Sequence, residues 1–135
     1  AQGRTIGYQR APTPLVESGD EAEIWTMRAD GSNAVRLTTN SVGENGIRIS
    51  PDGSQVLFVA NVNSRFEPYH NGRLFVIPAA GGTPRVLAGE SEPYDVQSAV
   101  WSKDGASIYF TVSLGARLVD IAVGAYLEYL LHDLE

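Results

Sequence analysis

Apolar residues in this chain fall in short runs separated by turn formers, with no sustained helical period. The clearest are Val56-Leu57-Phe58-Val59-Ala60, Leu74-Phe75-Val76-Ile77 and Ile108-Tyr109-Phe110. Each is bounded by glycine, proline, aspartate or asparagine, the punctuation of β-strands. The first and third are near-continuous rather than alternating, which predicts strands covered on both faces. An ordinary antiparallel sandwich, the rival reading, keeps one face wet and should alternate.

The runs repeat. Ile49-Ser50-Pro51-Asp52-Gly53-Ser54-Gln55-Val56-Leu57-Phe58 returns as Val100-Trp101-Ser102-Lys103-Asp104-Gly105-Ala106-Ser107-Ile108-Tyr109-Phe110, with the aspartates 52 positions apart. Trp25 and Phe75 are 50 positions apart, as are Leu37 and Leu87. The middle unit predicts four strands: one ending at Ser50, then 55–60, 73–77 and 84–88. The last predicts one ending at Trp101, then 107–112, 117–121 and 126–131. Upstream, 5–11, 23–27 and 35–38 supply three strands of an earlier unit. A period near 50 residues filled with four short strands and glycine turns is the mark of propeller blades. The fold class expected is therefore all-β: a partial β-propeller of antiparallel four-stranded blades. Residues 1–40 form an incomplete three-stranded blade, 46–90 a complete one, and 97–135 a blade with a divergent C-terminal half. Residues 117–135 also fit an amphipathic helix, since they lack proline and contain only Gly124.

The turns carry their own chemistry. Asp52-Gly53 and Asp104-Gly105 predict tight hairpins of the primed type, in which glycine tolerates positive φ. Asp52 is expected to accept hydrogen bonds from nearby main-chain amides. Gly31 and Gly82 mark the later turn of each unit. The acids lack the further ligand spacing of a calcium loop, so no metal is assigned.

Composition narrows the function classes. The 135 residues are 43% apolar and 19% charged, which suits a folded domain. A net charge of −6 with ten scattered basic residues speaks against nucleic acid. No apolar stretch approaches a membrane span, no signal peptide is evident, and the absence of cysteine excludes disulfides. No cofactor is implied. Fewer than three blades cannot close a ring, so the chain reads as a segment of a longer protein, with oligomeric closure as the alternative. Its open blade faces predict self-association in isolation.

Blades built on Ser50-Pro51-Asp52-Gly53 resemble TolB-like propeller repeats. Further residues narrow the likeness: Leu37-Thr38-Thr39-Asn40, Glu44-Asn45-Gly46, Arg65-Phe66-Glu67-Pro68-Tyr69-His70-Asn71, Leu74-Phe75-Val76-Ile77-Pro78-Ala79-Ala80-Gly81-Gly82-Thr83-Pro84-Arg85 and Trp101-Ser102-Lys103-Asp104-Gly105. Over roughly residues 20–113 the chain resembles the amino-terminal propellers of prolyl oligopeptidase family serine peptidases. That resemblance implies a non-catalytic role, in which the propeller caps an α/β-hydrolase domain, restricts access to its serine and grips peptide substrate. It also implies an exported, periplasmic location. This sequence itself holds no Gly-x-Ser-x-Gly elbow, and His70 and His132 have no serine and acid placed around them by motif. A TolB-like scaffold for protein–protein contacts is the alternative, and a propeller fused to another hydrolase, such as an amidohydrolase, a third.

Residues 61–72 are the candidate binding segment. They read as a long loop between two strands, carrying Arg65, Glu67, Tyr69 and His70. Glu67 would pair with a substrate ammonium group and Arg65 with a carboxylate. The bland reading is a solvated hairpin with Phe66 and Tyr69 tucked against the neighbouring blade. The acidic stretch of Glu17, Asp20, Glu21 and Glu23 is a second candidate for a peptide amino terminus, against a plain solvated loop. Recurring aromatics Trp25, Phe58, Phe75 and Trp101 read as inter-blade packing.

Overall fold

The computed structural model describes residues 4–15, 21–40, 42–63, 65–89, 94–114 and 117–122. Among these residues are ten strands: β1 (Thr5–Arg10), β2 (Glu23–Arg28), β3 (Val35–Arg36), β4 (Glu44–Ile49), β5 (Gln55–Val62), β6 (Pro68–Pro78), β7 (Arg85–Ala88), β8 (Asp95–Trp101), β9 (Ile108–Leu114) and β10 (Arg117–Ala122). They form three antiparallel meanders in the orders β1-β2-β3, β4-β5-β6-β7 and β8-β9-β10. The fold is a partial β-propeller. Arg117–Ala122 is strand, not helix; the expected strand at 126–131, Gly124 and His132 lie outside the described residues.

Strand β5 shows why the sheets stack. Its side chains alternate between two faces, and both faces are dry. Val56, Phe58, Ala60 and Val62 pack with Ile24, Leu37 and Val42 from the first sheet and its exit segment, joined by Phe75 and Ile77. Leu57 and Val59 turn the other way, onto Val96, Ala99, Ile108, Phe110 and Val112 of the third sheet. A run with no polar position is what a strand between two neighbours requires. Strand β9 departs from that expectation. Tyr109 is 49% exposed and its cross-strand neighbour Val100 is 46% exposed. Among the described residues nothing covers the outer face of the last sheet, so alternation returns there, and Ser98 and Thr111 join hydroxyls across it at 2.8 Å.

Polar bonds tie the sheets as well. Thr26 Oγ1 donates to the Ala79 carbonyl at 2.9 Å, joining first to second, and Trp101 Nε1 donates to the Arg48 carbonyl at 3.0 Å, joining third to second. A close approach of main chain lies at Gly72 on β6, whose N–H donates to Asp95 Oδ1 of β8. A Cβ at Gly72 would run into the Val96 carbonyl, main chain that has nowhere to retreat.

Gly72→Ala is therefore expected to force β6 and β8 apart and cost about 2–3 kcal/mol, the upper part of the range for overpacking. Denaturant midpoints read this directly. Gly31 faces open space at φ +86°, so Gly31→Ala tests backbone strain alone, costing about 1 kcal/mol. Equal losses at the two sites would contradict the close inter-sheet contact.

Candidate functional site

The Asp-Gly connections are built to hold geometry. Ser50 Oγ, Ser54 Oγ and the Ser54 amide all donate to Asp52 Oδ1, at 2.6, 2.7 and 3.0 Å. These donors hold the Asp52 carboxyl down at about 2. Ser102 Oγ and the Ala106 amide repeat the arrangement on Asp104 at 2.6 and 3.0 Å. The turn is not the primed two-residue type. The Gly53 amide bonds the Ser50 carbonyl at 2.8 Å, and Ser50 N–H closes on the Gln55 carbonyl, giving a four-residue connection. Pro51 holds its own φ near −65° and bars a positive value at the first central position. Only the glycine, Gly53 at φ 76° and Gly105 at 74°, is left-handed in each copy. Gly31 at 86° and Gly82 at 148° also have positive φ.

The expected loop at 61–72 is mostly ladder. Strand β5 runs on to Val62, β6 starts at Pro68, and Val62 pairs with Pro68 across a register shift. The tip is 63–67, organised by Asn63. Its Oδ1 accepts from the Arg65 and Glu67 amides at 2.8 and 3.0 Å, and its Nδ2 donates to Glu67 Oε2 at 2.7 Å. Arg65 and Glu67 pair with each other at 3.4 Å, with side chains 79% and 55% exposed. Tyr69 and His70 sit at the register shift, ring centroids 5.5 Å apart, with Tyr69 52% exposed. Phe66 turns inward at φ 59° and packs on Phe75 of its own blade, centroids 4.8 Å apart. An aromatic residue at positive φ is strained. The Asn63 turn and the Phe75 contact hold it there.

Phe66 closes one end of a cleft of about 450 Å³ between the first and second sheets. Leu37, Phe75, Pro84 and Val86 give it apolar walls; Thr39, Asn63, Arg73 and Thr83 are polar. None of Arg65, Glu67, Tyr69 and His70 lines it. Arg73 does, and its Nε is buried with no hydrogen-bond partner.

Two buried carboxylates flank the first seam. Glu23, expected beside a solvated loop, is 5% exposed on β2, paired through Oε1 with Arg36 Nη2 at 3.2 Å. Glu21 is exposed; Glu17 and Asp20 lie outside the described residues. Glu44 on β4 is 1% exposed. It accepts from Thr38 Oγ1 and Asn40 Nδ2, both at 2.6 Å, while Thr38 Oγ1 takes the Ile24 amide at 2.9 Å. The chain from Ile24 through Thr38 to Glu44 fastens the first sheet to the second. Desolvation pushes the Glu44 carboxyl up to about 7 against those hydrogen bonds, and Glu23 pushes the same way. Among the described residues no group of three metal-ligating side chains comes together.

The Glu44 value sets a sign. Between its ordinary value near 4.5 and about 7, the folded chain holds a proton that the unfolded chain releases. Stability is full below the lower value and falls as pH rises to the upper one, by up to ~3 kcal/mol. Glu44→Gln, a neutral mimic of the protonated acid, should flatten that slope and exceed the parent chain in stability at alkaline pH. Denaturant titrations across this range test it; an unchanged slope in the variant would contradict it.

No family model matches the chain. It is similar to the uncharacterized peptidase YuxL of Bacillus subtilis (strain 168), 27% identical over 113 residues. That match takes in 84% of this chain but 16% of the relative, so the chain spans about a sixth of that protein's length. A protein from Agrobacterium tumefaciens solved under the name TolB superposes on 87% of this chain with a TM-score of 0.63 at 16% identity, and 38% of its own length is matched. The three stacked meanders thus have the fold of a TolB-type β-propeller, and the relative found by sequence agrees with the peptidase resemblance.

Proposed function

We propose that this chain is part of the non-catalytic propeller of a serine peptidase of prolyl oligopeptidase type. In this reading it limits access to, and grips peptide for, a hydrolase domain elsewhere in the same protein. The observation that carries it is the relative named as a peptidase, matched over most of this chain and a small part of its own length. The absence of a nucleophile elbow from these residues accords with a non-catalytic share of the work. The exposed hairpin tip, with Arg65 and Glu67, and the neighbouring Tyr69 and His70 are its proposed contacts with peptide. A TolB-like scaffold for protein partners is the second reading, favoured by the structural neighbour.

The full-length protein separates the two. A fluorophosphonate probe should label one serine outside this segment, and short peptides should be cleaved while folded proteins are not. Glu67→Ala should raise KM roughly three- to tenfold, about the worth of one ordinary solvent-exposed hydrogen bond, with the melting temperature unchanged. No labelled serine would remove the peptidase reading and leave the scaffold. Unchanged Michaelis parameters would remove Glu67 from the binding surface.

A further inference from the structure

We infer that the cleft between the first and second sheets is a binding site for a peptide carboxylate carried beside an apolar side chain. This does not depend on the peptidase reading.

Sign of charge decides the ligand. The chain is acidic overall, at −6, yet Arg73 is the one charged side chain among the described residues that line the cleft. The nearby carboxylates are already engaged. Glu67 is held by Asn63 and Arg65 at the hairpin tip, and Glu44 by Thr38 and Asn40 behind the wall. No described acid lies within ion-pair distance of Arg73. Its Nε is shielded from water and makes no hydrogen bond. A guanidinium whose Nε is buried unpaired has lost part of its hydration without replacement, and a carboxylate meeting its terminal nitrogens offsets that loss by its charge and N–H···O bonds.

Shape supplies the second half. Arg73 and Phe75 lie on the same face of β6, two positions apart, so the cation stands next to an aromatic wall made by Phe75 and Phe66. Leu37, Pro84 and Val86 complete a surface for one branched or aromatic side chain. About 450 Å³ lies in the range of small-ligand sites. The cleft also runs beside β7, an edge strand among the described residues, and exposed sheet edges accept extended peptide. The strained φ of Phe66 fits a wall held in place before the ligand arrives.

Isothermal titration of the full-length protein with three probes tests the site. N-acetyl-Leu-Phe free acid carries a terminal carboxylate, N-acetyl-Asp-Phe-amide a side-chain one, and N-acetyl-Leu-Phe-amide none. At least one acid is expected to bind ten or more times tighter than the uncharged amide, and which one identifies the source of the carboxylate. Arg73→Gln should abolish that preference while leaving the amide's affinity as it was. Thr83→Glu, on the exposed rim, should do the same by placing a negative charge at the mouth, and it covers the case in which Arg73→Gln does not fold. Equal binding of all three probes, no binding by either acid, or an acid preference that survives both substitutions would overturn the assignment.

Discussion

Everything in this molecule depends on covering both faces of the middle sheet. A strand such as β5, with apolar side chains at every position from Val56 to Ala60, has no orientation in which water can be tolerated on either side. Burying such side chains contributes about 1.5–3 kcal/mol each, so the first and third sheets are held where they are by the middle one. The consequence runs outward. Each flanking sheet has one dry face, and its other face carries a mixture: Ile6 with Tyr8 stacked on Trp25 under Arg10 at one end, Val100 and Tyr109 with a hydroxyl pair at the other.

The two seams differ in kind. The seam between second and third sheets has an apolar centre and is drawn tight by the approach at Gly72, with polar bonds from Gly72 to Asp95 and from Trp101 to Arg48 at its ends. The seam between first and second has an apolar centre but a polar margin, where Thr38, Asn40 and Glu44 form one bonded group and Glu23 and Arg36 another. Buried carboxylates are costly unless paired, and the raised Glu44 value is the measure of that cost. The same seam opens into the cleft that holds Arg73. A boundary less perfectly packed than its neighbour is where ligand chemistry has room.

Much of this was legible in the residues. The 52-position echo of Asp52 in Asp104 and the aromatic echo of Trp25 in Phe75 specified the meanders, because a repeated unit must bury the same positions each time. Where reading failed, the cause was contacts from distant segments. Asn61, His70 and Asn71 look like loop residues, but the hairpin carries polar residues on strands at its solvent end. Glu23 and Glu44 look like surface acids until Arg36, Thr38 and Asn40 are seen around them. A signal was present: Thr38, Asn40 and Glu44 all belong to the stretches that resembled peptidase propellers, and they prove to be one hydrogen-bonded group. Arg73 gave no signal, since the face it occupies is set by the β6 register.

Native-state hydrogen exchange tests the central claim, since amide protection reports the opening of each sheet separately. With both faces covered, β5 and the Leu74–Ile77 part of β6 should be the last amides to exchange, slower than β1 and β9 by at least tenfold. Protection that is uniform across the three sheets, or greatest in β1 or β9, would mean that the middle sheet is not the dry centre on which the others rest.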